Sequence, residues 1–378
     1  MDLFARTAPT DADELRALVA LSLVPGVGPG RIRSLLAHFG SATEVLAAPP
    51  QALARVERVG RKTAQAIARF EGEAEVDEQF ERAERIGAAL VPLWDARYPS
   101  LLRQIYDPPA VLWLRGDLVP QDERAVAIVG TRRATAYGKR VAQDFAFELA
   151  RRGFTVVSGL AYGIDAAAHR GALDAGGRTL AILGSGVDRI YPAKHKALAE
   201  QITGQGGVLS EFGLGASPDA PNFPRRNRII AGLSLGTFVA EARATGGALI
   251  TAWMATEQNR AVWAAPAALF SPTGTGTNQL IRKGYATLVT SVDELLEEIE
   301  GQLPKVPGAE PTTEAAPAPP VLGGAEKKLY EALTAEPVHL DTLCERAGLD
   351  ASSALVYLLS LEFKGLVRQL AGKQFFRA

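Results

Sequence analysis

The sequence predicts an α/β fold: an extended, Rossmann-like, doubly wound and mostly parallel sheet, preceded by a small all-α N-terminal domain and followed by a winged-helix C-terminal domain. Three observations support this prediction. Short apolar runs alternate with amphipathic helical segments through the middle of the chain, as in parallel sheets covered by helices on both faces. An Ala- and Leu-rich segment with helical periodicity precedes them. A Pro- and Ala-rich segment then separates them from a short terminal region.

These changes in pattern divide the 378 residues into five segments. We predict a disordered start, a helical domain of the helix–hairpin–helix or SAM-like type, a Rossmann-like domain, a flexible linker and a winged-helix domain. Their boundaries are 1–13, 14–90, 91–301, 302–321 and 322–378. The linker is predicted from QLPKVPGAEPTTEAAPAPPV, which is rich in proline and alanine and has no apolar period.

The composition excludes several classes of protein. Hydrophobic residues make up 47% and charged residues 22% of the chain, as expected for a globular protein. No apolar run is long enough to span a bilayer, and the N-terminus lacks the basic and apolar stretches of a secretory signal. The single cysteine, Cys344, excludes an internal disulfide and favours a reducing, cytoplasmic location. The net charge of −1 argues mildly against nucleic-acid binding unless basic residues are locally concentrated.

The N-terminal region contains two similar pieces, LVPGVGPGRIRSLLAHFG and VERVGRKTAQAIARF. Each combines a glycine turn with a helix that has basic residues in its first turn. The basic residues are Arg31 and Arg33 in the first piece, and Arg61 and Lys62 in the second. The pair resembles a tandem helix–hairpin–helix, whose glycine turns offer backbone amides to DNA phosphates. A helical packing or protein-binding module with solvated arginines is the alternative, because such turns also serve as plain helix connectors.

Six parallel strands are predicted in the central region from continuous apolar runs. They cover residues 125–129, 154–158, 179–183, 208–210, 237–240 and 261–264. A helix over residues 137–152 joins the first two, with Val141, Phe145 and Leu149 on one face at i, i+4 and i+8. Right-handed crossovers of this kind give a doubly wound sheet, whose ligands bind outside the carboxyl ends of the strands.

The first predicted strand ends in an unusual way, in the run AIVGTRRATAYGK. A glycine, a threonine hydroxyl and two guanidiniums come directly before a helix N-terminus. Orphan amides and the helix dipole both favour negative charge there, so the sequence predicts an anion site. The run matches neither GxGxxG nor GxxxxGK[ST], which indicates phosphates other than those of a dinucleotide.

The other predicted strand ends carry similar groups. Glycines, hydroxyls and basic residues recur in segments 130–133, 158–163, 184–186, 191–194, 210–213, 223–230 and 241–247. Small residues allow close backbone approach, and arginines, lysines and helix amides bind phosphates. Several such sites along one sheet edge suit a polyanion with regularly spaced phosphates better than a single nucleotide.

Each candidate has a structural alternative. Asn227 and Arg228 could cap a helix and pair with Glu211 or Glu241. The glycines 246 and 247 could form a plain tight turn, and Lys194 could be a surface lysine. Phe223 could stack a base or belong to the core. Asp165 and His169, at i and i+4, could form an acid–base pair, although such pairs more often orient loops.

The terminal region predicts three helices over residues 325–333, 340–347 and 352–363, and a hairpin formed by 366–370 and 374–377. This order describes a winged helix. The helix that would face DNA has Glu362 as its only charged residue, whereas a helix that reads duplex DNA normally carries arginine or lysine. We therefore expect a protein-contact or auxiliary role for this domain, with Cys344 as a small core residue.

Six motifs together resemble the DprA (DNA-processing protein A) or Smf family of bacteria. In order they are AIVGTRRATAYGKR, SGLAYGIDAAAHRGAL, GVDRIYPAKHKAL, SEFGLGASPDAPNFPRRNRIIAGLS, EARATGGALITAWMA and GTNQLIRKGYATLV. The resemblance covers most of residues 94–300. One departure is Pro266-Ala267, where the family usually has Pro-Gly, so this loop can differ in shape.

The resemblance implies properties that composition and spacing do not give. Family members bind single-stranded DNA, form homodimers through the Rossmann-like domain and load the RecA recombinase in natural transformation. They have no established catalytic activity, and the resemblance implies no catalytic residue, cofactor or metal. The family's DNA pocket corresponds to Gly130, Thr131, Arg132, Ser158, Gly159, Gly163, Lys194, Phe223, Arg226, Asn227 and Arg228, with Thr245, Gly246 and Gly247 on the same edge.

The leading hypothesis is therefore a non-enzymatic, single-stranded DNA-binding recombination mediator. A nucleotide phosphoribohydrolase on the same type of sheet is the alternative from another class, with Glu241 near the ribose, Arg226, and a phosphate loop at residues 245–247. A sequence-specific regulator that reads DNA through its winged helix is a third option.

Overall fold

The computed structural model describes residues 12–299, 323–334, 338–363, 366–370 and 374–377. Most of the predicted disordered start and the whole predicted linker lie outside these residues. The chain divides into two compact units, Met1–Pro307 and Gly308–Ala378. The five segment boundaries given above remain predictions. Among the residues described, we find no helix that combines the length and the apolar character needed to cross a membrane.

The first unit begins with a helical region. Its helices are α1 (Ala12–Leu23), α2 (Pro29–Phe39), α3 (Ala42–Ala47), α4 (Pro50–Leu53), α5 (Arg61–Ala68) and α6 (Glu73–Arg85). Both glycine turns begin a helix as predicted, with Gly28 before α2 and Gly60 before α5. Leu18, Leu35 and Ile67 belong to the buried core of this region.

Nine strands form the central sheet. They are β1 (Ala89–Pro92), β2 (Val111–Gly116), β3 (Ala125–Gly130), β4 (Thr155–Ser158), β5 (Thr179–Ile182), β6 (Gly206–Ser210), β7 (Gly236–Glu241), β8 (Ala261–Ala264) and β9 (Thr287–Leu288). Their order is β1-β2-β6-β5-β4-β3-β7-β8-β9, with the pairs β1–β2 and β2–β6 antiparallel and the rest parallel. The six predicted strands are confirmed, and β1, β2 and β9 were not predicted. These three strands lie at or beside the sheet edges, and each pairs with a strand that is distant from it in sequence.

Helices cover both faces of this sheet. They are α7 (Ser100–Arg103), α8 (Ala136–Arg151), α9 (Ile164–Asp174), α10 (Lys196–Gly204), α11 (Asn222–Gly232), α12 (Gly247–Glu257), α13 (Thr275–Arg282) and α14 (Val292–Ile299), with 3₁₀ turns at Pro120–Glu123 and Ala193–His195. The predicted apolar face of α8 is confirmed, because Phe145 and Leu149 are buried against the sheet. The Phe145 ring stacks on Phe238 of β7 with ring centroids 4.3 Å apart.

The order of the strands identifies where a ligand can bind. From β3 the chain adds β4, β5 and β6 on one side, and then crosses back to place β7, β8 and β9 on the other. Helices that follow β3 and β7 therefore leave in opposite directions and open a crevice at the carboxyl ends of these two strands. If a ligand binds outside the strand ends as predicted, the crevice between β3 and β7 is the place that the topology offers it.

The second unit is a winged helix, as predicted. It contains α15 (Gly324–Ala332), α16 (Leu340–Ala347), α17 (Ala351–Phe363), β10 (Val338–His339), β11 (Val367–Leu370) and β12 (Gln374–Arg377). The three strands form an antiparallel sheet in the order β10-β12-β11. Leu329, Leu358 and Phe375 are buried in its core, and partly buried Cys344 packs against this core as predicted.

Candidate nucleic-acid interface

A pocket of 270 Å³ lies at the crevice between β3 and β7. The loop after β3, the first turns of α11 and the N-terminus of α12 form its walls. Eight of the predicted site residues line it: Gly130, Thr131, Arg132, Phe223, Arg226, Asn227, Gly246 and Gly247. Residues from three separate motifs are therefore brought together, as expected if the strand ends share one edge.

The loop after β3 is fixed by its backbone. The Thr131 amide donates to the carbonyl oxygen of Glu241 at 2.8 Å, which ties this loop to the end of β7. Gly130 is required because a Cβ there would lie 2.3 Å from the Ile164 side chain. Arg132 follows with an exposed side chain, so its guanidinium is available at the rim of the pocket.

The helix N-terminus that follows this loop already holds an anion, which corrects the anion site predicted from the sequence. Thr135 caps α8, and the buried Glu241 carboxylate accepts hydrogen bonds from the Thr135 amide at 2.9 Å and hydroxyl at 3.0 Å. Gly138 leaves room for this carboxylate, because a Cβ there would lie 2.2 Å from Glu241 Oε2. The dipole of α8 thus stabilises a side chain of the protein itself rather than a ligand phosphate.

Arg226 forms the floor of the pocket. Its side chain is buried and donates to the carbonyl oxygens of Gly159, at 2.7 Å, and Ile182, and to Asn227 Oδ1 at 3.1 Å. Burial lowers the pKa of Arg226 to about 10, and the nearby Asp165 acts in the opposite direction. Gly159 is needed here because a Cβ would lie 2.3 Å from the guanidinium. Arg226 therefore holds the ends of β4 and β5 together and also presents positive charge to the pocket.

The ring of Phe223 lies close to two of the arginines that line the pocket. The guanidinium carbons of Arg132 and Arg226 are 4.9 Å and 5.8 Å from the centroid of its ring. The ring of Tyr191 lies 6.0 Å away, and Gly184 is the small residue beneath Phe223. The ring is partly exposed, so it is neither a fully buried core residue nor a free surface side chain. Such an aromatic ring beside cations suits a base with its phosphate.

The N-terminus of α12 closes the opposite side of the pocket. Gly246 is its N-cap, no side chain caps the helix, and no acidic residue occupies its first turn. Gly247 and Thr245 are exposed at this end, although Thr245 does not line the pocket. The first amides of α12 are therefore open to a phosphate from the pocket side, unlike those of α8.

Three other predicted site residues lie outside the pocket lining, and two of them fix the backbone around it. Ser158 Oγ donates to the carbonyl oxygen of Ile128 at 2.6 Å and so joins β4 to β3. Gly163 has a φ of +79°, and a Cβ there would lie 2.3 Å from the carbonyl oxygen of Thr131. Lys194 is exposed in the 3₁₀ turn Ala193–His195.

Arg228 points away from the pocket. Its guanidinium pairs with Glu211 at 2.7 Å and with Asp107 at 3.0 Å. Burial raises the pKa of Glu211, and the charge of Arg228 partly offsets this effect. The alternative interpretation of Arg228, an ion pair with Glu211, is thus the arrangement in the structure. Its place in the predicted DNA-binding set remains a prediction.

Asp165 and His169 do not form the acid–base pair considered above. Asp165 accepts from the Ala161 amide at 3.2 Å, and burial raises its pKa. His169 Nδ1 lies 2.7 Å from Thr179 Oγ1, and burial lowers the pKa of this histidine to about 3. Each side chain therefore has its own partner, and both hold elements of the sheet in position.

Arg243 was missed as a site residue although it lines the pocket. The available signal was its position directly after β7, where the sequence places a basic residue at a strand end. Over the described part of the chain, no group of three or more His, Cys, Asp and Glu residues is suited to hold a metal ion.

Comparisons with known proteins agree with this architecture. The model of DNA recombination-mediator protein A matches residues 89–300, that of the DprA winged helix matches 313–373, and that of a SAM-like helix–hairpin–helix tandem matches 18–70. Protein Smf of Synechocystis sp. is 36% identical over 95% of this chain and 98% of that protein. DprA of Bacillus subtilis is 41% identical over 56% of this chain and 72% of that protein.

Solved structures give the same result. The DprA structure from Streptococcus pneumoniae superposes with a TM-score of 0.67 at 32% identity, over 75% of this chain and 97% of that one. DNA processing protein A from Helicobacter pylori, which binds single-stranded DNA in a mode described as unique, superposes with a TM-score of 0.52 at 28% identity. This match covers 57% of this chain and 97% of that one. The shared sheet, winged helix and helical N-terminal region show that this chain belongs to the DprA/Smf family of DNA recombination-mediator proteins.

Proposed function

We propose that this protein is a recombination mediator that binds single-stranded DNA in the pocket between β3 and β7, protects the incoming strand and loads RecA onto it in natural transformation. It would act in the cytoplasm as a homodimer, by binding rather than by catalysis. DNA contact would involve the fourteen residues predicted from the sequence, with Arg228 and Ser158 acting through the shape of the site.

One observation carries this proposal: an aromatic ring and three arginines converge on one pocket beside an uncapped helix N-terminus. Arg132, Arg226 and Arg243 line the pocket, and the first two flank the ring of Phe223. A base needs to be unstacked before it can rest on an aromatic side chain, which favours a single strand over a duplex. The Helicobacter pylori relative, which binds single-stranded DNA, supports the same choice.

The phosphoribohydrolase alternative has less support. That mechanism needs a carboxylate free to approach the ribose, and Glu241 was its candidate. Glu241 is buried and both of its carboxylate oxygens accept hydrogen bonds from Thr135. Its carboxylate stabilises the start of α8, so we assign it a structural role.

The homodimer proposal rests on the family and on an apolar surface at the β9 end of the sheet. Trp253 is 52% exposed and its ring lies 4.8 Å from that of Tyr285, which is 42% exposed. Leu288, in the edge strand β9, is also exposed. Exposed aromatic rings beside an open strand edge are typical of a surface that a second copy covers. Loading of RecA rests on the family alone.

Fluorescence anisotropy with a short labelled oligo-dT tests the central claim. Arg132→Ala should weaken binding about tenfold and lower the salt slope by about 0.7, the value for one phosphate contact on a single strand. The protein should stay folded because Arg132 is exposed. Arg140→Ala is the matched control, since it removes an exposed cation from α8 that pairs with Asp144. Equal affinity of wild type and Arg132→Ala would contradict the proposed pocket.

A further inference from the structure

We propose that Tyr106, flanked by Arg33 and Arg58, is a second base-stacking contact for the same DNA strand, outside the pocket. This inference rests on the proposed function, because it extends the path of the single strand from the central sheet to the helical N-terminal region. It assigns a nucleic-acid contact to a residue outside every motif that was predicted to bind DNA.

The geometry of the three side chains is that of an open stacking site. Tyr106 lies between α7 and β2, and its side chain is 67% exposed. The guanidinium carbons of Arg58 and Arg33 are 5.3 Å and 5.9 Å from the centroid of its ring. Arg58 also donates a hydrogen bond to the Tyr106 hydroxyl. A base stacked on the exposed part of the ring would have its phosphate within reach of two cations.

The position of Arg58 is held by the first glycine turn. Arg31 donates to the Arg58 carbonyl oxygen at 2.8 Å and to the Gly26 carbonyl oxygen at 2.5 Å. Arg58 itself has a φ of +68°, an uncommon conformation for a residue other than glycine. The nearest carboxylate, Glu57, is 3.6 Å from Arg58 and 83% exposed, so it neutralises this cation only weakly.

Contacts link the neighbour of Tyr106 to α11, the helix that also carries the pocket residues Phe223 and Arg226. Its neighbour Asp107 pairs with Arg228 on α11, and Arg228 also donates to the Arg225 carbonyl oxygen at 3.1 Å. Arg225 is exposed and lies 5.0 Å over the ring of Phe212. Since a helix rises about 1.5 Å per residue, Arg225 and Arg228 are only about 4.5 Å apart along the axis of α11. Arg226 lies between them in sequence and faces the pocket from another side of α11.

A cavity of 590 Å³ opens beside Tyr106 and is polar on several sides. Gln104, Asn259 and Asp107 line it together with Gln258 and Arg260. Gln258 Oε1 and Arg260 Nε are buried and have no hydrogen-bond partner. Amide and carboxylate groups of this kind can bind the polar edge of a base while Tyr106 contacts its face.

The competing explanation is that the three side chains only fasten the helical region to the sheet region. A contact with that role alone would gain most by burying the ring, yet two thirds of Tyr106 remains exposed. The two arginines also leave the ring accessible, although closer packing would stabilise an internal contact more. The exposed ring therefore favours an external ligand.

Oligo-dT strands of increasing length, with the full chain, provide the test. In Tyr106→Ala, the affinity for short strands that fill only the pocket should stay within about twofold of wild type. The affinity for longer strands should fall about five- to tenfold. Tyr106→Phe keeps the ring and should bind long strands nearly as well as wild type. A thermal unfolding curve of each variant checks the fold. In wild type, a strand with 5-iododeoxyuridine placed at successive positions should crosslink to Tyr106 at a position beyond the shortest bound length.

The outcomes separate the two proposals. Failure of wild type to bind any single strand would remove the proposed function itself. Binding of short strands, together with an unchanged length dependence in Tyr106→Ala and no crosslink at Tyr106, would overturn only this inference.

Discussion

The pocket between β3 and β7 and the helix α17 of the winged-helix unit were both expected to meet a partner, and they differ in charge. Three arginines converge on the pocket. Helix α17 contains no lysine or arginine in its 13 residues, and it exposes Leu355, Val356 and Leu359. The helix that would face DNA in this winged helix thus carries no cation, while three arginines of a chain with net charge −1 meet at one sheet edge.

The largest expected effect comes from removing the floor of the pocket. Arg226→Ala should abolish single-strand binding and lower the free energy of unfolding by roughly 3–5 kcal/mol, because it leaves buried Asp165 and two carbonyl oxygens without their cationic partner. Urea unfolding and anisotropy measure the two effects. Arg225→Ala, one residue away and exposed, should leave stability within about 0.5 kcal/mol of wild type. Equal stability of both variants would show that Arg226 is not a structural residue.

The second effect concerns the backbone behind the pocket. In Gly163→Ala the new Cβ would approach the carbonyl oxygens of Thr131 and Arg132 to 2.3 Å and 2.7 Å, so the loop after β3 has to move. We expect a loss of roughly 2–4 kcal/mol in stability, and weaker single-strand binding. Gly176→Ala is the matched control, since Gly176 also has positive φ but open space around it, and should cost about 1 kcal/mol without affecting binding. Similar binding by both variants would contradict a role for Gly163 in shaping the site.

The difference between the two regions was only partly predictable. The strands were found because a parallel strand covered on both faces leaves a continuous apolar run in the sequence. The absence of lysine and arginine from α17 could be predicted equally well, because it requires no knowledge of neighbouring elements. Both predictions depend on local composition, which the sequence states directly.

The orientation of individual side chains could not be predicted from the sequence. Arg226 and Arg228 are two residues apart in one motif, but two residues of α-helix turn by about 200°, so one faces the pocket and the other faces Glu211 and Asp107. Glu241 presented the same difficulty, because only the register of β3 and β7 brings it to the start of α8. The contacts of Arg228 with Asp107 and of Glu241 with Thr135 join residues more than a hundred positions apart.

The third prediction uses the buried histidine beside the pocket. Burial lowers the pKa of His169 from its ordinary value of 6.5 to about 3, so this histidine stays neutral in the folded protein down to that pH. Between these pH values the unfolded chain binds the extra proton, so this residue should make stability fall with decreasing pH by up to about 1.4 kcal/mol per pH unit.

Unfolding midpoints measured from pH 7 to pH 4 in wild type and His169→Asn test this slope. The buried carboxyls Asp165 and Glu211 have raised pKa values and act in the opposite direction, but they are present in both proteins and cancel in the difference. His195 and Arg226 disfavour protonation of His169 further. Identical pH slopes in the two proteins would mean that His169 does not stay neutral in the folded state.

The smallest expected effect tests the other side of the comparison. Val356 is 65% exposed on α17, so Val356→Glu should fold normally and bind single-stranded DNA within about twofold of wild type. If α17 lay against DNA phosphates, a new carboxylate there would repel them and weaken binding in a manner that salt relieves. The same substitution should instead disrupt any protein partner that covers Leu355 and Leu359, because it would bury an unpaired charge. Unchanged DNA affinity, with loss of a protein contact in the same variant, would assign the apolar helix to protein recognition and leave the cationic pocket as the DNA site.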